Sequence, residues 1–107
     1  MATTDAQLDA KAAASMISGY RRNNGLGLVL LDDKLMRMAQ EQARAMASRN
    51  RFEHDAAGPF SARIKRSGFD AKVAVENIGA GYHTLAEAFS GWRDSPPHRA
   101  KIGRAHV

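Results

Sequence analysis

Cysteine is absent from the 107 residues. That excludes a disulfide framework and any metal site built on thiolates. Aromatic residues make up only 7% of the chain, and there are only three prolines. No window approaches the roughly 20 apolar residues needed to span a bilayer, so no transmembrane segment is expected. Residues 1–11 are polar and lack the apolar stretch of a signal peptide. Either the protein is cytoplasmic, or the front of a longer secreted protein is missing. Sixteen Lys and Arg against eleven Asp and Glu give a net charge of +5. These charges are interspersed rather than gathered in one block. With few aromatics to stack on bases, nucleic acid is not an expected partner. The length allows one domain, and 44% apolar residues allow one small core.

The periodicity that is present is mostly helical. Over 5–23, Leu8, Ala12, Met16 or Ile17, and Tyr20 fall on one face, and Gly25 suits the position just past the helix end. Residues 26–31 form an apolar connector too short and too glycine-broken for a helix, expected to pack under the next one. Asp32 or Asp33 caps the longest predicted helix, 34–50, with a buried stripe of Leu35, Ala39, Ala43 and Met46. Phe52 is expected to anchor the segment carrying His54. Gly58 and Pro59 open a short helix over 60–66, closed by Gly68. Residues 69–80 carry Val73, Val75 and Ile78 in partial alternation and make the best strand candidate, expected to pack on the 34–50 stripe. Thr84 and Glu87 form a capping box for a helix over 85–93, with Leu85, Phe89 and Trp92 inward. Pro96 and Pro97 stop it, and Pro97 can start a final turn carrying His98.

The chemistry-bearing residues are His54, Glu76 and His98. Two imidazoles and a carboxylate on separate segments are the minimum for a shared polar site. Neutral imidazoles ligate zinc, though two of them need further ligands or waters. A nearby carboxylate can orient an imidazole, ligate the metal, or act as a base on bound water. Spacing alone does not choose among these roles, nor does it exclude three unrelated surface groups. Zinc would need both imidazoles neutral, so any binding should weaken below about pH 6.5. His83 reads as a loop residue. Gly79-Ala80-Gly81 lacks the spacing of a phosphate loop. Ser95 has no context for a serine hydrolase.

Several short patterns occur in a fixed order: Tyr20-Arg21, Gly25-Leu26, Asp32 and Leu35, Ala39, Gln42-Ala43, Met46-Ala47, His54, Glu76-Asn77-Ile78, Trp92, Ser95-Pro96 and His98-Arg99. In this they resemble the bacterial branch of the CAP superfamily of SCP-like proteins (cysteine-rich secretory proteins, antigen 5, pathogenesis-related proteins). The resemblance implies an α+β fold, a three-layer α-β-α sandwich. It implies that His54 and His98 are the two cleft histidines and Glu76 the glutamate of the Glu-Asn motif. A second glutamate that eukaryotic members carry after the tryptophan has no counterpart here; Arg93-Asp94-Ser95 stand in its place.

Residues 102–107 read as a tail foreign to the domain. Ile-Gly-Arg-Ala-His-Val is encoded by ATC GGA AGA GCA CAC GTC, a string within a widely used sequencing adapter. On this reading the CAP-like domain is 1–101 and is cut short, and His106 leaves the count of metal ligands. Ile102 and Val107 should then have no packing role. The last sheet strands should be missing, leaving an incomplete sandwich prone to aggregate.

The function implied is that of a secreted domain, extracellular or periplasmic in its full-length parent. Its cleft would bind a small-molecule, lipid or protein ligand through His54, Glu76 and His98, with zinc held by the two histidines as the cofactor. The alternative is a metal-assisted hydrolase or peptidase with Glu76 as general base. A cytoplasmic helical interaction domain would leave the site motifs unexplained.

Overall fold

A computed structural model describes residues 9–104. Among them are five helices: α1 (Ala10–Asn23), α2 (Asp33–Arg49), α3 (Phe60–Ser67), α4 (Leu85–Asp94) and α5 (Pro96–Arg104). They belong to two compact units. Asp32–Ile78 forms one and holds α2 and α3. The segments on either side of it form the other, with α1, α4 and α5.

The expected three-layer sandwich is not formed. No strand occurs among the described residues, and the segment at 69–80 runs as extended coil. A strand exists only through its ladder, and among the described residues no segment pairs with this one. Its alternation survives in burial alone. Ala74, Glu76 and Ile78 turn partly inward, whereas Val73 and Val75 are exposed.

In the inserted unit, α2 begins at the Asp32 cap, whose carboxylate accepts from Leu35 N at 2.9 Å. It ends at Asn50 in the left-handed conformation, φ 51°, which asparagine tolerates better than most residues. The inward stripe is Leu35, Met38, Gln42 and Met46, not the alanines; Ala39 and Ala43 face outward. The stripe turns because Gln42, polar by type, is engaged through both its amide nitrogen and its amide oxygen. Its amide donates to the Glu53 carbonyl at 2.8 Å and accepts from Ala57 N at 3.2 Å. Helix α3 packs on α2 and ends at Gly68, φ 78°.

In the other unit, the Asp9 carboxylate caps α1 by accepting from Lys11 N and Ala12 N. The expected start at residue 5 lies outside the described residues. Phe89 on α4 is buried, with the Tyr20 ring edge-on at 5.7 Å and the Arg93 guanidinium 5.4 Å from its centroid. Half of the capping box forms: Thr84 Oγ1 accepts from Glu87 N at 3.1 Å and donates to the Glu87 carboxylate at 3.2 Å. Helix α5 starts at Pro96, one residue earlier than expected, and packs on α4 and α1. Ile102 is buried, contrary to the expectation that it has no packing role. Its carbonyl accepts from Arg21 Nη1 at 2.8 Å, and Arg21 Nε donates to the Gly27 carbonyl at 2.7 Å. Arg21 is thus buried and spent on backbone oxygens. His106 and Val107 lie outside the described residues.

The connector after α1 also departs from expectation. Val29 exchanges hydrogen bonds with Ser18 through its N–H and carbonyl, which holds the stretch extended. Leu26, Leu28, Leu30 and Leu31 are left exposed.

Candidate functional site

The inserted unit carries the arrangement with the most chemical content. His54 stands in the loop between α2 and α3, and that loop is held from both helices. Gln42 of α2 holds Glu53 and Ala57, on either side of His54. Arg49 donates to the carbonyl of Ala56, whose methyl is buried beneath the loop. From α3, Arg63 Nη2 donates to the His54 carbonyl at 2.6 Å, and its Nε donates to the Gly58 carbonyl at 3.0 Å. Phe52, the expected anchor, is exposed and takes no such part.

Glu76 reaches the same place from the extended segment after α3. Its carboxylate faces Arg63 in a two-point contact, Nη1 to Oε2 at 3.0 Å and Nη2 to Oε1 at 2.8 Å. Oε1 also meets His54 Nδ1 at 2.9 Å. The three side chains differ sharply in exposure: 1% for Arg63, 14% for Glu76 and 44% for His54. The cation is therefore inside, the carboxylate at the boundary and the imidazole outermost. Arg63 is also covered by the Phe60 ring, 5.2 Å from its guanidinium carbon.

Burial pushes the Glu76 carboxyl upward. Hydrogen bonds from Arg63 and His54, and the charge on both, outweigh that and hold it below its ordinary value of 4.5. A carboxyl lowered by folding stabilises the protein above its unfolded-state value. That contribution is lost as pH falls through the lower, folded-state value. Urea midpoints measured from neutral pH downward should therefore fall in acid, starting below about 4.5. For Glu76→Gln the gap from wild type should close over the same range. Parallel profiles for the two proteins would show that Glu76 is not held in this way.

Of the three residues expected from the sequence, His54 and Glu76 are in direct contact. His98 lies in the other unit, half-buried on the first turn of α5, with Nδ1 2.8 Å from Ser95 Oγ. His83 and Asp94 are exposed at the two ends of α4. Arg63 is the participant that the sequence reading does not single out. The signal for it is its place in the series Phe60, Arg63, Ile64, Ser67, one helical face, all turned at least partly inward. A cleft of about 240 Å³ opens elsewhere in this unit, lined by Lys34, Arg37, Met38, Glu41, Arg66 and Ser67. None of His54, Arg63 and Glu76 borders it.

The donor set fits a metal in one respect and not in another. An imidazole giving its Nδ1–H to a carboxylate and keeping Nε2 for a metal is a recurrent pairing in metal sites. Glu76 itself does not fit as a ligand, because both its oxygens are engaged by a buried guanidinium. Among the described residues, no helix is long and apolar enough to cross a membrane.

The family model for the cysteine-rich secretory protein family, CAP, matches residues 14–105. The chain is also similar to the uncharacterized protein YkwD of Bacillus subtilis (strain 168). The two are 30% identical over 95 residues, which is 86% of this chain and 37% of that protein. The chain thus spans little more than a third of the relative it matches. No solved structure matches it. The ordered motifs from Tyr20 to Arg99 and the matched span agree, and the chain belongs to the CAP family, as a domain of the bacterial kind.

Proposed function

We propose that this CAP domain is a binding module of a secreted bacterial protein, extracellular or periplasmic. His54 meets the ligand, oriented by Glu76. The observation that supports this most is the graded arrangement of Arg63, Glu76 and His54, with a buried cation, a shared carboxylate and an exposed imidazole. Such an order uses the charges for orientation and leaves one imidazole nitrogen for the ligand. The ligand is a small molecule, a lipid or a protein. A divalent metal, with zinc suited to imidazole, would be held by His54 Nε2. The metal would supply a Lewis-acidic contact for an oxygen-bearing ligand.

The hydrolase reading needs Glu76 as a general base. A carboxyl held below its ordinary value is a weak base at neutral pH, and its oxygens are already shared. Binding is therefore the better reading.

Calorimetric titration of the chain with zinc tests it. The wild type should take up the metal, and His54→Ala should abolish uptake with helix content unchanged. Equal affinity in the two proteins would remove the metal from the proposal. Cleavage of a peptide library by the wild type, lost in Glu76→Gln, would favour the hydrolase instead.

A further inference from the structure

The Nη2 group of Arg63 touches both members of the His54–Glu76 pair. It donates to the His54 carbonyl at 2.6 Å and to Glu76 Oε1 at 2.8 Å. Oε1 is the same oxygen that meets His54 Nδ1. With Nη1 on Oε2 and Nε on the Gly58 carbonyl, four of the five guanidinium hydrogens are committed. The group is 1% exposed, so it has no water to turn toward.

This arrangement has a directional consequence. A carboxylate that is ionised only accepts hydrogen bonds, so the nitrogen facing it must carry the proton. A carboxyl free to protonate or to swing outward would impose no such rule. Guanidinium and carboxylate match in a planar fork, and the fork removes both freedoms. The contact to the His54 carbonyl fixes the other end of the pair, because it sets where the imidazole begins.

We infer that Arg63 is the positioning residue of this site: it holds Glu76 and the His54 backbone together so that His54 keeps its proton on Nδ1 and presents Nε2 outward. The inference rests on the reading that His54 is the histidine that meets the ligand. Arg63 itself touches no ligand.

Lysine separates geometry from charge. Arg63→Lys keeps the positive charge but replaces the fork with a single ammonium point. It cannot hold two carboxylate oxygens and two carbonyls in the same directions. The readout is the tautomer of His54, from long-range proton–nitrogen correlation spectra of the nitrogen-15-labelled chain near pH 8, where imidazole is neutral. In the wild type the Nδ1–H form should dominate. In Arg63→Lys its ratio to the Nε2–H form should fall several-fold, with helix content by circular dichroism unchanged. An unchanged ratio in the folded lysine variant would overturn the inference, since charge alone would then suffice. Should the lysine variant not fold, the wild-type spectrum still decides: a dominant Nε2–H form overturns the inference, and a dominant Nδ1–H form upholds it.

Zinc titration of the same samples distinguishes this inference from the function it rests on. No uptake by the wild type, with the tautomer behaving as expected, removes the metal reading and upholds the positioning role. Uptake that is equal in wild type and lysine variant, with equal tautomer ratios, leaves the metal site standing and removes Arg63 from it.

Discussion

Replacing Arg63 by methionine should lower the unfolding free energy by on the order of 3–5 kcal/mol. Methionine matches the stem of the arginine and can fill most of its space, so little of the loss comes from a cavity. It comes from what is left behind. Glu76 would keep its charge at a site only 14% exposed, and the carbonyls of His54 and Gly58 would lose their donors. An uncompensated buried charge is costly for any fold, and the loss expected here is a large fraction of a small domain's whole stability. Urea denaturation followed by circular dichroism measures it. A second substitution separates the causes. Arg63→Met combined with Glu76→Leu removes both charges and should recover much of the loss, because an apolar pair can replace a buried ion pair at little cost. A double variant no more stable than the single one would mean that the carbonyl contacts, not the ion pair, dominate.

Phe89→Ala should cost about 3–5 kcal/mol. Phe89 is 4% exposed and is the large aromatic at the centre of the unit holding α1, α4 and α5. Its ring makes a T-shaped pair with Tyr20 and lies under the Arg93 guanidinium, and alanine would remove both along with the volume. Buried apolar side chains are scarce among the described residues: Met38, Ala56, Phe89 and Ile102. With so few, a neighbour can hardly shift to refill the space. Phe52→Ala is the matched control, since that ring is exposed and its loss should stay within about 0.5 kcal/mol. Thermal melts of the two variants should differ accordingly. Similar melting points would show that Phe89 is not the packing centre.

The helices were legible because each carries its own local boundary chemistry. Asp32, Thr84, Gly25 and Gly68 act within a few residues of where they stand, and the periodicity between them is local too. The strand was not legible in this sense. Alternation at Val73 and Val75 states a preference, but a strand is made by a second segment, and no pattern within one segment reports whether that partner exists. The α2 stripe was misread by one position for a related reason. Gln42 looks polar until its amide is seen holding two backbone groups of the His54 loop. Arg63 was the largest omission. Beside Lys65 and Arg66 it reads as one more solvated cation, and only its carboxylate partner, thirteen residues away, makes its burial affordable. His54 and Glu76 were visible because the order of the family's motifs points to them, whereas the residue that joins them lies outside those motifs.

The contact between Arg21 and Ile102 joins positions 81 residues apart, and this bears on the order in which the chain can fold. The unit Asp32–Ile78 is continuous in sequence, so it leaves the ribosome complete before α4 and α5 have been made. It can condense at once from short-range contacts. The other unit cannot. Its first helix is synthesised before the inserted unit, yet the helices that α1 packs with come after it. During that interval the Arg21 guanidinium lacks the Ile102 carbonyl that it bonds in the finished fold. Closing so long a loop adds little in free energy, since each doubling of length costs only about 0.6 kcal/mol. The penalty is one of time. The chain carries α1 without its packing partners while the inserted unit is being made, and α5 is the element that ends the wait.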